Sequence, residues 1–350
     1  MKHLSGLDAT FLHFETPEMP MHVGSLNVLE LPKGYKGDFY EDAKAFMASR
    51  IHLADVFTRK LALMPFDLSN PVWVDDDDID IDYHVRHITL PKPGTNRQLQ
   101  QYVARLHSSL IDRSRPMWEF YIIDGLQSGD VALYTKVHHA GIDGQAGVEV
   151  GKAIFDLEPT GRVVKPPRDK PRRNGYQLGM AELATAALRN TAAQYVKLYK
   201  MLPALGKALS SLATPTADST PADAKALAKR FDLTAPRTPF NVSITNQRSF
   251  AGRTIPLAET KAIARHFGVT LNDVVMATVS GALRSYLKDS NELPDKSLVA
   301  GVPVSLREAG DDTANNQASM ILVSLASDIK DPLERLKAIH KSSTQSNKGK

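Results

Sequence analysis

Two adjacent histidines lead the segment of this chain best suited to chemistry, His138-His139-Ala140-Gly141-Ile142-Asp143-Gly144. An imidazole titrates near neutral pH, so a rigidly held histidine here is a candidate general base. Asp143, four residues after His139, can turn back beneath the loop to fix that geometry, and Gly141 and Gly144 permit the tight backbone it requires. Metal ligation is the main rival, since two histidines and an aspartate are acceptable ligands. Neighbouring strand residues point to opposite faces, however, so His138 and His139 cannot easily share one ion. A purely structural histidine at a strand end is the third reading. The 350 residues contain no cysteine, which removes disulfides, thiolate zinc sites and cysteine nucleophiles. No serine sits in a G-x-S-x-G elbow either.

The elements that must position this segment are legible around it. An apolar run over 131–137 stops directly before the pair and predicts a strand. Earlier runs over 24–31 and 79–90 are further strand candidates, closed by Pro32 and Pro91. With amphipathic stretches between them, residues 1–157 read as one α/β domain carrying the histidines. Residues 158–238 read as a linker and helical connector: Pro159, Pro166, Pro167 and Pro171 break regular structure, an Ala- and Leu-rich helix is expected over 176–213, and a second break follows at 215–221. A second α/β unit is expected over 239–350. It has a strand at 241–248, helices at 258–267 and 271–287, strands at 298–304 and 320–325, and a helix at 332–342. Gly268 stands where a helix C′ glycine belongs, and Thr270 or Asn272 can cap the next helix.

Composition narrows the class. With 42% hydrophobic residues the chain can bury a large core, and its net charge of +4 is too balanced to make nucleic acid the main partner. No stretch approaches the roughly 20 uncharged apolar residues of a membrane span. The expected setting is the cytoplasm, with at most a peripheral membrane contact. The run Asp75 to Asp78 lacks the glycine and terminal glutamate of an EF-hand loop and reads as a solvated acidic turn. The basic stretch from Lys165 to Arg173 reads as a solvated linker, with CoA phosphates as its functional alternative.

The spacing His138-His139-x-x-x-Asp143-Gly144 matches the HHxxxDG motif of the CoA-dependent acyltransferase superfamily that includes chloramphenicol acetyltransferase, plant CoA acyltransferases and peptide-synthetase condensation domains. Further segments select a branch. Leu4 to Leu12, Pro20 to Gly24, Asp82 to Arg86, Ser114 to Glu119 and Thr270 to Val274 resemble the bacterial wax ester synthase/diacylglycerol acyltransferase family. That resemblance implies two chloramphenicol-acetyltransferase-like domains, mixed sheets with flanking helices, and a histidine in a tunnel between them. It implies an O-acyltransferase that moves a fatty acyl group from acyl-CoA, a substrate, to a long-chain alcohol or diacylglycerol, with no cofactor and no metal. His139 would be the catalytic base, with His138, Asp143, Gly144, Asn272, Asp273 and Arg307 in support. Arg307 is the expected ion-pair partner of Asp143. Pro116 and Trp118 would line the substrate tunnel; Trp118 can equally be core, and Asn272-Asp273 can equally be a helix cap. Pro116-Met117-Trp118 departs from the family's Pro-Leu-Trp by a swap of similar volume.

Family members continue well past a position like Lys341, so the second domain is expected to be incomplete at its C-terminus. That leaves two alternative functions: a catalytically weak lipid-binding or droplet-surface protein, and a condensation-type enzyme with a carrier-protein donor. A stripe of Leu198, Met201, Leu202, Leu205, Leu209 and Leu212 at helical spacing is a candidate membrane or lipid-droplet contact, or else packs on the protein's own core.

Overall fold

The computed structural model describes residues 2–4, 6–62, 71–142, 146–156, 158, 161–166, 235–305 and 318–348. The chain divides into two compact units, Met1–Ala204 with Ile244–Gly252, and Leu205–Ser243 with Arg253–Lys350.

The first unit is built on a four-stranded sheet of β2 (His22–Leu29), β7 (Val131–His138), β6 (Trp118–Asp124) and β5 (Val85–Thr89), in that order. Only the β5–β6 pair is parallel. Every residue of β7 is buried, so both faces of that strand are covered, which is why it reads as an apolar run. One face meets α5 (Asn96–Ser108) through Leu99, Val103, Tyr121, Ile123, Ala132 and Tyr134. The other meets Met47 of α2 (Phe39–Ala48), Phe57 of α3 (Asp55–Thr58), Phe120, Val137, and Val150 and Ile154 from α6 (Ala146–Ile154). A smaller sheet, ordered β1 (Lys2–His3), β4 (Val72–Asp75) and β3 (Arg59–Ala62), stands beside α1 (Gly6–Phe14). Leu4, Ala9, Leu12, Leu61, Trp73, Met117 and Ala140 share one core cluster there. The acidic turn is partly neutralised by β3, with Lys60 reaching Asp76 at 3.0 Å and Arg59 reaching Asp75 at 3.3 Å.

Two expected strands are corrected. The stretch 79–90 is not continuous: the Asp80 carboxylate accepts the Tyr83 amide at 3.2 Å and starts a helical turn, α4 (Ile81–His84), so only Val85–Thr89 is strand. Residues 241–248 are irregular. Their alternation is real, yet Val242 and Ile244 stay exposed, and local side chains take backbone groups that a ladder would use. Asn241 Oδ1 accepts the Thr238 amide at 3.0 Å, and Thr245 Oγ1 accepts the Gln247 amide at 3.3 Å. Arg248 instead donates to the Glu18 carbonyl at 2.5 Å, which ties this stretch to the first unit.

The second unit packs α7 (Leu257–Phe267), α8 (Leu271–Asp289) and α9 (Pro332–Lys348) with an antiparallel pair, β8 (Val299–Ser305) and β9 (Ala318–Ser324). Met276, Leu287, Leu298, Val323, Leu325 and Ile339 form its core. Gly268 takes the left-handed conformation (φ 63°) that ends α7, as its sequence position predicts. Among the described residues no helix is long and apolar enough to cross a membrane. The connector helix and its leucine stripe lie outside the described residues, as do Lys170 to Arg173.

Candidate active site

β7 ends in His138, and the chain then makes a single tight turn, His139–Gly141. The strand end is held from both sides. His138 donates its amide to the Met117 carbonyl at 3.0 Å, and His139 donates its amide to the Met21 carbonyl at 2.8 Å. The turn also fits closely against its neighbours: a Cβ on Gly141 would come within 2.7 Å of Val56 Cγ2, so any larger residue there would have to push the buried Val56 side chain aside.

The two imidazoles lead different lives. That of His138 is fully buried; its Nδ1 accepts the Ala140 amide at 3.0 Å, which leaves the proton on Nε2. Nε2 lies 3.3 Å from Glu15 Oε1, whose side chain is only 1% exposed. Glu15 collects further donors: the Met21 amide at 2.9 Å, and Arg113 Nε and Nη2 at 3.1 and 2.8 Å. Burial by itself raises the Glu15 pKa, but these hydrogen bonds outweigh it and hold the carboxyl at about 2. His139 is only half-buried, and its ring stacks on Phe11 of α1 at 3.9 Å between centroids and 22° between planes. Among the described residues its Nδ1 is buried without a hydrogen-bond partner.

A polar cluster lies behind His138 on the same face of the sheet. Lys136 is buried and donates to Glu119 Oε2 at 3.2 Å, where the Tyr121 hydroxyl also donates at 2.7 Å. Desolvation lowers the Lys136 pKa. His22, opposite His138 in the ladder, donates Nε2–H to the His107 carbonyl at 2.8 Å. Burial, reinforced by the charge of Lys136, pushes the His22 pKa down to about 4.

Of the residues singled out in the sequence, the structure brings together His138, His139, Pro116 and Trp118. Trp118 is corrected from tunnel lining to core: it is 0% exposed, donates Nε1–H to the Phe57 carbonyl at 3.2 Å and stacks on His84. Pro116 is buried as well, and the Pro116-Met117-Trp118 segment serves the site through the Met117 carbonyl. Asp143, Gly144 and Arg307 lie outside the described residues. Asn272 and Asp273 are in the second unit. Thr270 caps α8, its Oγ1 accepting the Asp273 amide at 3.1 Å while Asp273 Oδ2 accepts the Thr270 amide at 2.9 Å. Asp273 also takes His340 Nδ1 at 2.8 Å and the Ser343 hydroxyl at 2.7 Å, joining α8 to α9. Its pKa is lowered, burial being outweighed by these donors. Asn272 is exposed. Phe11, Glu15, Met21 and Arg113 were given no role by sequence reasoning.

The architecture is that of the condensation-domain class. The first condensation domain of the calcium-dependent antibiotic synthetase superposes with a TM-score of 0.52 over 98% of this chain and 74% of that one, at 12% identity, a likeness of fold alone. Sequence goes further. Residues 4–275 match the model of the wax ester synthase/diacylglycerol acyltransferase catalytic domain, and the chain belongs to that acyltransferase family. It is similar to the wax ester synthase/diacylglycerol acyltransferase of Marinobacter aquaeolei VT8, with a TM-score of 0.68 and 32% identity, covering 100% of this chain and 72% of that one. It is also 37% identical over 353 positions to a Mycobacterium tuberculosis chain assigned as a diacylglycerol O-acyltransferase, covering 97% of this chain and 72% of that one.

Proposed function

We propose that this acyltransferase moves a fatty acyl group from acyl-CoA to the hydroxyl of a long-chain alcohol or a diacylglycerol, with His139 as general base. The carrying observation is the division of labour at the end of β7. His138 is buried, hydrogen-bonded at Nδ1 and set 3.3 Å from the Glu15 carboxylate at Nε2, whereas His139 is half-exposed, held at its backbone, and free of any carboxylate contact among the described residues. With Nδ1 buried, Nε2 takes the acceptor's proton. The oxygen then attacks the thioester carbonyl, the tetrahedral oxyanion collapses, and the carbon–sulfur bond breaks. The departing CoA thiolate recovers the proton from the imidazolium. No acyl-enzyme forms, consistent with a chain that has no cysteine.

Supporting roles complete the proposal. Asp143 pairs with Arg307 beneath the loop, and a double-mutant cycle that shows no coupling between them would refute this. Residues 1–157 carry the base, 158–238 connect, and 239–350 supply the second domain. The protein works in the cytoplasm, with water-insoluble acceptors reaching it by peripheral contact with a membrane or lipid inclusion.

The decisive experiment is release of CoA from palmitoyl-CoA with hexadecanol or diacylglycerol as acceptor. His139→Ala is expected to lower the rate by about 10² to 10⁴. Near-normal turnover of that variant with both acceptors would remove His139 from the mechanism.

A further inference from the structure

We propose that Phe11 is a positioning residue for the reaction, setting the plane of the His139 imidazole; this rests on His139 being the base. The backbone of His139 is fixed by its amide's bond to the Met21 carbonyl, but that bond leaves the side-chain torsions undetermined. A functional imidazole is usually oriented by a hydrogen bond at the nitrogen that does no chemistry. His138 has one such bond, at Nδ1 from the Ala140 amide, with the Glu15 carboxylate 3.3 Å from its Nε2. His139 does not: among the described residues its buried Nδ1 meets no partner. What its ring does meet is the face of Phe11, 3.9 Å away and 22° from parallel.

That face is itself held still. Ala9 and Leu12 of α1 are buried with Ala140, the residue after His139, and Phe11 packs against the same cluster. Beyond the helix, Glu15 holds the Met21 amide, and the Met21 carbonyl holds His139. One short segment therefore constrains the base twice, its backbone through Glu15 and Met21 and its ring through Phe11. A flat aromatic face does what a hydrogen bond does elsewhere. A general base must lie within hydrogen-bond reach of the hydroxyl it deprotonates, and a displacement of about 1 Å can cost on the order of 10²-fold in rate.

The test separates flatness from bulk. Phe11→Leu and Phe11→Met fill similar space without a planar face, and Phe11→Tyr keeps the plane. With palmitoyl-CoA and hexadecanol, the Leu and Met variants are expected to lose roughly ten-fold in kcat with KM for palmitoyl-CoA within about two-fold. Phe11→Tyr is expected to stay within about three-fold of the parent. Nuclear magnetic resonance of ¹³C-labelled histidine gives a readout independent of turnover: the ring current of Phe11 displaces the His139 Cε1 proton, and Phe11→Met should abolish that displacement while leaving His138 unmoved. The proposal falls if Phe11→Leu and Phe11→Met retain full kcat, if Phe11→Tyr falls as far as they do, or if the His139 resonance does not respond. His139→Ala is run alongside. If it is inactive while the Leu and Met variants are unimpaired, Phe11 alone is misassigned; if it is active, the base is wrong and the proposal goes with it.

Discussion

Glu15 in the first unit and Asp273 in the second are alike in their surroundings. Each carboxylate is 1% exposed, and each meets a histidine, His138 at 3.3 Å and His340 at 2.8 Å. Each also joins segments distant in sequence: Glu15 links the chain after α1 to Met21, Arg113 and β7, and Asp273 links the start of α8 to α9. What lies next to the pair differs. After His138 comes His139, half-buried and stacked on Phe11; beside His340 there is Ser343, bonded to Asp273 like its neighbour. The contrast teaches that in this fold a buried acid facing a histidine marks a joint. The candidate base, His139, meets no such acid among the described residues.

Breaking the joints should cost unequal amounts. Glu15→Ala strips His138 of its acid and leaves the Met21 amide without an acceptor, so stability should fall by about 3 kcal/mol, the low end for a broken buried pair because Arg113 can turn to water. Urea unfolding at pH 7 measures this. The pH dependence shows whether the carboxylate charge is responsible. Glu15 is held at about 2 against an ordinary 4.5, so its contribution is fully present above pH 4.5 and is lost as pH falls toward 2. His22, at about 4 against 6.5, makes the folded chain resist protonation; stability is lost as pH falls from 6.5 toward 4, in parent and variant alike. The gap between parent and Glu15→Ala should therefore hold steady from pH 8 to about 5 and narrow only below. A gap that changes between pH 6.5 and 5 would mean that the Glu15 charge does not by itself supply the stabilisation.

Much of this arrangement was legible in the residues. The mostly apolar run before His138 specified β7 because a strand buried on both faces favours apolar residues on each, Thr135 and Lys136 being its buried polar exceptions, and Gly268 marked the end of α7 because few other residues tolerate its backbone. Strand alternation does not place the His139 ring, because β7 ends at His138 and His139 already belongs to the turn. Strands at 79–90 and 241–248 were misread for one shared reason: aspartate, asparagine and threonine side chains satisfied the backbone locally, and alternation of apolar residues does not report that competition. Phe11, Glu15 and Met21 stood in or beside segments that carried the family resemblance, but nothing in their spacing connects them to His139. That connection is made by α1 folding against the turn, which is a property of tertiary packing. Trp118 shows the limit from the other side, since a motif residue beside the site can serve it as core.

The smallest expected effect decides what Asp273 is for. Its position in a motif shared with the family admits a direct part in the reaction, while its contacts describe a cap and a staple: the Thr270 amide, His340 and Ser343 account for both carboxylate oxygens. Asp273→Ala leaves those donors without their acceptor, and buried hydrogen-bonding groups left unmade cost about 1 to 3 kcal/mol. The loss should fall in the lower half of that range, because Thr270 still caps α8 with its own hydroxyl and His340 is partly exposed to water. Thermal unfolding should show the loss, while kcat per folded molecule, with the folded fraction measured independently, should stay within about two-fold of the parent. Asn272→Ala, at an exposed position, should change neither. If Asp273→Ala instead dropped kcat by ten-fold or more with its unfolding midpoint unmoved, the carboxylate would act on the reacting groups, and the likeness drawn between Glu15 and Asp273 as joints would fail on the side of the second unit.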